Sequence, residues 1–448
     1  MSAPKEFDVV IVGGGPAGYP AAIRAARRSA AVAVVEERWL GGTCLNVGCI
    51  PTKFFCRRTA AADARPWPEV VAEKDKVVAE LVKGVAFLFE KRGVALFRGR
   101  GRLTAPNRVE VEGAAPATLA ARKGILYAPG SVPLAIPSLP LDHERVLDSD
   151  DLVSSSLDFG SIVVVGAGAI GLEWATILRR RGVDVTVVEM MPQALPGMDA
   201  DVAKRLAGLM KRAGVKIMLD RKVEGVAREG DGVAIRLAGG DTVVAARVLV
   251  AVGRRANVDA AALESLGIKL DRGRIRTDAG MATSVAGVWA AGDAAAGGPM
   301  LAHVATRQGL VAVENMLGGK LSMDYDLVPW AVFSDPEAAG VGLNAEQAAA
   351  RGIAAHEGRA DYRALGRPRA DGVTDGFVKV LAAEADGRVL GAHALGPHAA
   401  ELVQVVGAAM ACRATIEQLA AFIAIHPTYS ELVAEAVEDW SGLATHRA

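Results

Sequence analysis

Two strand–glycine-turn–helix–strand repeats, a length of 448 residues and a C-terminal stretch of a different pattern predict an α/β fold. The expectation is two Rossmann-like dinucleotide-binding domains followed by an α+β domain. At about 150 residues per domain, the length suits three units. The first repeat, FDVVIVGGGPAGYPAAIRAA, is an apolar strand run into Gly13, Gly15 and Gly18, then an alanine-rich helix, then the strand AVAVVEE. The second, SIVVVGAGAIGLEWATILRRRGVDVTVVEM, does the same with Gly166, Gly168 and Gly171. The strand after each helix ends in an acid, Glu36 or Glu189, at the same spacing from the third glycine.

Each residue of this pattern has a physical task. The first glycine allows the tight turn, the second lets the backbone approach a pyrophosphate, and the third lets helix pack on strand, so that helix N–H groups face the phosphates. The acid accepts hydrogen bonds from a ribose hydroxyl. Pro20 falls in the first turn or so of its helix, where a missing N–H costs little.

Two further turns sit apart from the first repeat. GILYAPGS carries a strand into a turn at Gly130, and GVWAAGDAA places Asp293 where a ribose or polyol hydroxyl could bind. The first domain is therefore expected to resume after the second is inserted, which divides the chain at 1–143, 144–271, 272–322 and 323–448. The last part begins at YDLVPWAVFSDPEAAGVG, with strand-like runs GFVKVLAA and VLGAHALG before the helices ELVQVVGAAMACRA and SELVAEAVEDW.

Composition narrows the function. Lys+Arg and Asp+Glu are equal at 51 each, so nothing points to nucleic acid or an anionic membrane. No signal segment opens the chain, and no apolar run reaches ~18 residues, which predicts a soluble cytoplasmic protein. The partner is expected to be a small molecule or a protein.

With only 4 cysteines, the chain sets two of them in GGTCLNVGCIPTK. In an ideal helix, residues i and i+5 lie roughly 8.5 Å apart at Cα, whereas a disulfide needs about 4.4 to 6.8 Å. Cys44 and Cys49 can bond only if the segment is distorted, and Asn46, Gly48 and Pro51 make distortion easy. Three readings compete: two free buried thiols, half a metal site, or a reversible disulfide. The metal reading lacks a second Cys/His pair at ligand spacing, so no metal is expected. Cys56 and Cys412 sit on helical apolar patterns and read as buried free cysteines.

GGTCLNVGCIPTK resembles the active-disulfide segment of the flavoprotein disulfide reductases, and CLNVGCIPTK is most similar to the dihydrolipoamide dehydrogenase branch. GGGPAGYPAAIRAA, GAGAIGLEWA, LVAVGRRAN, GDAAAGGPMLAH, DPEAAGVG, GFVKVLA and HPTYSE also occur in family order. The resemblance implies FAD on the first repeat, NAD on the second, and a homodimer formed through the C-terminal domain. It makes Cys49 the thiol against the flavin and Cys44 the interchange thiol that meets the substrate. Lys53 would lie near the flavin and pair with Glu173. Gly42, Thr43, Gly101, Gly130, Ser131, Asp293 and Ala302 would contact FAD, and Val223 and Gly253 would line the NAD site. In HPTYSE the resemblance implies that His426, oriented by Glu431, is the acid–base catalyst for the other subunit's disulfide. Imidazole exchanges protons near neutrality. Thr428 and Glu431 also match a T-x-x-E capping box for the final helix.

The implied activity is oxidation of dihydrolipoamide through a Cys44–Cys49 disulfide and FAD, with reduction of NAD⁺. The lipoamide would arrive on a lipoyl domain of another chain, in a 2-oxoacid dehydrogenase or glycine-cleavage complex. Two alternatives stay open: a related NADH-dependent disulfide reductase with another substrate, and an FAD-binding docking subunit. The segment between Lys53 and PEVVAEKDKVV is shorter than is usual in the family, which bears on the substrate approach. The tail WSGLATHRA lacks the cysteine pair of mercuric reductases, and EMMPQ after Glu189 offers no arginine for a 2′-phosphate, so NAD(H) is expected over NADP(H).

Overall fold

The strand Lys5–Val12 runs parallel between Val32–Glu36 and Ala117–Tyr127, in a register that sets Ile11 beside Val34 and Leu126. The computed structural model, which describes residues 3–60 and 65–447, extends this sheet on one side with Ala95–Arg98. On the other side it adds the antiparallel strands Arg108–Glu112 and Arg100–Ala105, while Val288–Ala290 joins Ala117–Tyr127 in parallel. Continuous apolar runs suit strands covered on both faces. Val9, Val10 and Ile11 are indeed fully buried. Helix Gly18–Arg27 carries Pro20 in its first turn and packs on helix Ala302–Met316, where a Cβ on Gly309 would meet the Ala17 carbonyl oxygen at 2.2 Å.

The second repeat builds an all-parallel sheet in the order Lys216–Met218, Asp184–Val188, Ser161–Val165, Arg247–Val250, Val146–Leu147. Beside it lies an antiparallel meander of Val223–Glu229, Gly232–Leu237 and Thr242–Ala245. The C-terminal unit is a five-stranded antiparallel sheet with Phe377–Ala383 and Val389–Leu395 near its middle, both buried along their length. Helices Ala399–Ala411 and Glu431–Trp440 pack on this sheet.

The seams differ from the expected ones. Leu263 and Ile268 are buried in the first core, so the chain returns to that unit ahead of residue 271, through helix Ala260–Ser265 with Asp259 as its cap. Met323 still belongs to that core as well, so the C-terminal unit starts after 323. A seam is set by the core in which side chains bury, and local composition does not carry that information.

One junction positions the site. Phe55, on helix Cys49–Ala60, is buried 4.6 Å in ring centroid distance from Trp67 and 5.9 Å from Trp174 of the second unit. Val332, Phe377 and Leu395 of the C-terminal unit share the same core. The helix that begins at Cys49 is thus clamped by all three units. The link between it and helix Trp67–Arg92 includes residues 61–64, so part of the segment expected to be short lies outside the described residues. No described helix is long and apolar enough to cross a membrane.

Candidate active site

The helix does not run through the cysteine pair. Gly42–Asn46 forms one turn and a half, Val47 leaves helical geometry at φ −136° and ψ 9°, and a new helix starts at Cys49. The break is held by Asn46, whose Nδ2 donates to the Leu40 and Gly42 carbonyls at 3.2 and 2.9 Å. Gly48 passes so near that a Cβ would lie 3.2 Å from Cys44 Cα. This distortion brings the two side chains close enough to shift each other's titration, and neither is in a disulfide.

The proton they share is unevenly held. The Cys44 thiol donates to Cys49, which pushes Cys44 far above the ordinary thiol range, with burial adding to the effect. Cys49 is held below that range by the same hydrogen bond and by the Lys53 ammonium, against burial and the Glu173 carboxylate. Its place at the start of a helix favours a thiolate too.

Lys53, on the same helix, reaches Glu173 of the second repeat with Nζ 2.9 and 2.8 Å from the two carboxylate oxygens. Burial would lower the Lys53 pKa, yet the Glu173 carboxylate outweighs it and holds the ammonium above its ordinary value. Glu173 is buried, not solvated, and also accepts from the Phe333 N–H at 3.0 Å. Cys56 is partly buried and its Sγ donates to the Phe333 carbonyl at 3.3 Å, while burial pushes the thiol up to about 12. Cys412, by contrast, is exposed at the end of helix Ala399–Ala411. The apolar pattern that suggested burial ends one residue before it.

The two glycine turns are near-copies. Gly13 and Gly166 have φ +100° and +108°, where a Cβ would strike the Ala128 and Ala251 carbonyl oxygens at 2.1 and 2.4 Å. Glu36 accepts from the Gly14 N–H at 2.6 Å and Glu189 from the Ala167 N–H at 2.8 Å. Further backbone N–H groups, from Arg38 and Trp39 in one case and Met191 in the other, hold the second oxygen of each. A carboxylate oxygen has a second lone pair, so each acid keeps capacity for a ribose hydroxyl.

Both turns open on one cleft of about 1370 Å³ that also contains Cys44, Cys49, Lys53 and Glu173. Gly15, Gly42, Thr43, Gly101, Gly130, Ser131, Asp293 and Ala302 line its first part; Gly168, Val223 and Gly253 line its second. Gly18 and Gly171 do not line it. A Cβ on either would meet the carbonyl oxygen of the turn's first glycine, at 1.8 and 2.0 Å, so they serve helix packing. The cleft suits dinucleotides on its own evidence: a Cβ on Gly42 would lie 2.6 Å from Gly15 Cα, so the seat between them exists only without side chains.

His426 and Glu431 lie elsewhere. His426 Nδ1 is 2.8 Å from Glu431 Oε1, and the imidazole side chain is 78% exposed. Against burial, which would raise it, hydrogen bonds from His426 and the Thr428 N–H hold the Glu431 carboxyl below its usual range. The capping box is only half formed. Glu431 reaches back to the Thr428 N–H at 2.9 Å, but Thr428 Oγ1 donates to the Ile425 carbonyl, and Ser430, which precedes the helix, makes no side-chain capping bond.

Several lining residues escaped the sequence reading. Arg254 donates to Ser131 Oγ at 2.8 Å, and that hydroxyl in turn donates to Asp293. Arg221 and Lys222 stand at the rim beside Glu189, brought there from the next strand by pairing that no motif announces. Among the described residues one group, His143 with Asp148 and Asp151, has metal-ligand spacing, but the two acids are the capping box of helix Ser149–Val153.

A sheet pair with two dinucleotide turns around a dithiol defines a class of flavin- and nicotinamide-dependent disulfide oxidoreductases. Residues 7–309 match the family described as pyridine nucleotide-disulphide oxidoreductase, and residues 328–437 match its dimerisation domain. Dihydrolipoyl dehydrogenase 3 of Pseudomonas putida is 36% identical over 463 residues, covering 98% of this chain and 99% of that protein. The dihydrolipoyl dehydrogenase of Halobacterium salinarum is 38% identical, covering 98% and 97%. Among solved structures, LpdA of Mycobacterium tuberculosis superposes with a TM-score of 0.90 at 29% identity over 97% of this chain and 99% of that one. The chain belongs to the pyridine nucleotide-disulphide oxidoreductases. Within them it is a flavoprotein of the dihydrolipoyl dehydrogenase type, and its cofactors are FAD and NAD.

Proposed function

We propose that this chain forms one subunit of a homodimer that oxidises dihydrolipoamide through Cys44 and Cys49 and reduces NAD⁺ to NADH. The observation that carries this reading is the single cleft in which the thiol pair, the buried Lys53–Glu173 pair and both glycine turns meet. Gly13, Gly15, Glu36, Gly42 and Asp293 would hold FAD, and Gly168, Glu189, Val223 and Gly253 would hold NAD⁺. When bound, FAD supplies a two-electron carrier between the cysteine pair and NAD⁺.

The chain's own groups manage the thiol chemistry. In the oxidised state Cys44 and Cys49 would form a disulfide, and in the reduced state both would be free. A substrate thiolate attacks Cys44 Sγ, the Cys44–Cys49 bond breaks, and Cys49 leaves as a thiolate. Lys53 favours that leaving group by its charge. The second substrate thiolate then displaces Cys44 from the mixed disulfide, which closes the lipoamide ring. His426 accepts the substrate's thiol proton: with Nδ1–H donating to Glu431, the Nε2 lone pair is free.

The base is supplied by the partner subunit. No histidine lines the cleft among the described residues, whereas His426 stands exposed beside Ile423 and Ile425, which are 90% and 77% exposed. An apolar surface of this kind around a polar catalytic group suits burial against a second copy. The lipoyl group would come from a 2-oxoacid dehydrogenase or glycine-cleavage complex in the cytoplasm. Steady-state NAD⁺ reduction with dihydrolipoamide, run beside NADPH oxidation with glutathione disulfide, tests the reading. Turnover confined to the second pair would sink it.

A further inference from the structure

The rim around Glu189 carries more charge than its own strand reveals. Strand Asp184–Val188 pairs in parallel with Lys216–Met218, setting Val188 beside Met218. The Glu189 N–H then donates to the Met218 carbonyl, and the Arg221 N–H returns to the Glu189 carbonyl, both at 2.9 Å. This pairing fixes Arg221 and Lys222 beside the acid, and all three line the same cleft next to Val223. Arg221 is held loosely: its side chain is 43% exposed, its nearest carboxylate oxygen, on Asp241, is 3.9 Å away, and Nη1 donates to the Asp220 carbonyl at 3.2 Å. Lys222 is exposed and makes no ion pair among the described residues.

Glu189 itself is buried, with each oxygen tied to a backbone N–H, from Ala167 and Met191. It is therefore a buried negative charge with exposed positive ones beside it. A 2′-phosphate placed on the adenosine ribose would meet the fixed charge first, since a carboxylate can only accept hydrogen bonds. Remove that charge, and two cations that line the same cleft remain beside the position.

We propose that Arg221, with Lys222 beside it, is a latent 2′-phosphate subsite, so that Glu189 alone excludes NADP(H). The inference rests on reading the second glycine turn as the nicotinamide nucleotide site. It adds a second nucleotide class that this site would take after a single change.

Calorimetric titration of the flavin-loaded protein with AMP and with 2′,5′-ADP isolates the adenosine end without any turnover. The unmodified protein should bind AMP at least about tenfold more tightly than 2′,5′-ADP, and Glu189→Gln should reverse that order. Adding Arg221→Gln to Glu189→Gln should then weaken 2′,5′-ADP about tenfold and leave AMP unchanged, with the gain also falling as salt rises. On the unmodified background Arg221→Glu, at an exposed position that packing does not need, should weaken 2′,5′-ADP further. The inference is overturned if Glu189→Gln gains no affinity for 2′,5′-ADP, or if Arg221→Gln leaves that gain intact. Dihydrolipoamide enters neither titration, so the substrate assignment can fail while this subsite stands. Absence of any AMP or NADH binding would remove both.

Discussion

The cysteine segment and the histidine segment are short motifs of comparable distinctness, yet the fold treats them in opposite ways. Around Cys44 and Cys49 everything needed is supplied by the chain: a helix break pinned by Asn46, a buried Lys53–Glu173 pair, and a core shared by three units. Around His426 only Glu431 is supplied, and the imidazole and its apolar neighbours face outward. On the proposed reading, one half of the apparatus is finished within a subunit and the other is left for a second copy to complete. The lesson is that a site motif can be complete in sequence and incomplete in one chain, and exposure tells the two cases apart.

The sharpest way to break this comparison is to separate the halves. His426→Ala should lower dihydrolipoamide-dependent NAD⁺ reduction by about 10²–10⁴, because the thiol proton loses its positioned acceptor. NADH-to-dye activity, which bypasses the cysteines, should persist. Mixing inactive His426→Ala subunits with inactive Cys44→Ser subunits should restore activity toward about a quarter of the unmodified level, since hybrid dimers carry one intact site. If subunits demonstrably exchange and nothing returns, the base belongs to its own chain's cleft and the contrast collapses.

A second measurement sharpens the finished half. Cys49 is an acid held below its ordinary pKa, so its thiolate persists as pH falls past the point where a free thiol would protonate. Lys53→Met removes a favourable charge and should move that titration upward by about one unit, cutting the thiolate fraction near neutrality roughly fivefold. Alkylation of the reduced protein as a function of pH, resolved by peptide mass, reports it. The thermal midpoint should fall too, because Glu173 is left buried without its cation. An unmoved titration would assign the whole effect to the hydrogen bond from Cys44.

Much of this was legible in sequence because the physics is local. A glycine turn after an apolar run fixes its own backbone, and the spacing to Glu36 or Glu189 follows from one helix and one strand. What escaped depends on long-range pairing. Arg221 reaches the Glu189 rim only because two strands align in one register, and Leu263 joins the first core only after the chain has crossed back. Cys412 was misplaced because helical periodicity marks a face but not where the helix ends. The partial capping box at Thr428 fails for a related reason: a motif names possible bonds, and a nearer acceptor, the Ile425 carbonyl, takes the hydroxyl.

The smallest expected effects compare the two pins directly. Asn46 makes two side-chain bonds to carbonyls inside a packed segment, so Asn46→Ala strands polar groups that water reaches poorly and should cost about 1–3 kcal/mol. Thr428→Val removes one hydroxyl bond in a segment where His426 and Ile425 are already exposed to solvent. There the freed carbonyl can hydrate, and the net loss should stay near about 0.5–1 kcal/mol. Thermal unfolding followed at several protein concentrations separates the cases. If the C-terminal segment is completed by a second subunit, the Thr428→Val deficit should be larger where the dimer persists and should shrink on dilution, as the freed carbonyl becomes open to water, while the Asn46→Ala deficit should not change. A concentration-independent loss for Thr428→Val larger than that for Asn46→Ala would mean that the histidine segment is a self-sufficient folding element, and that its exposure has another cause.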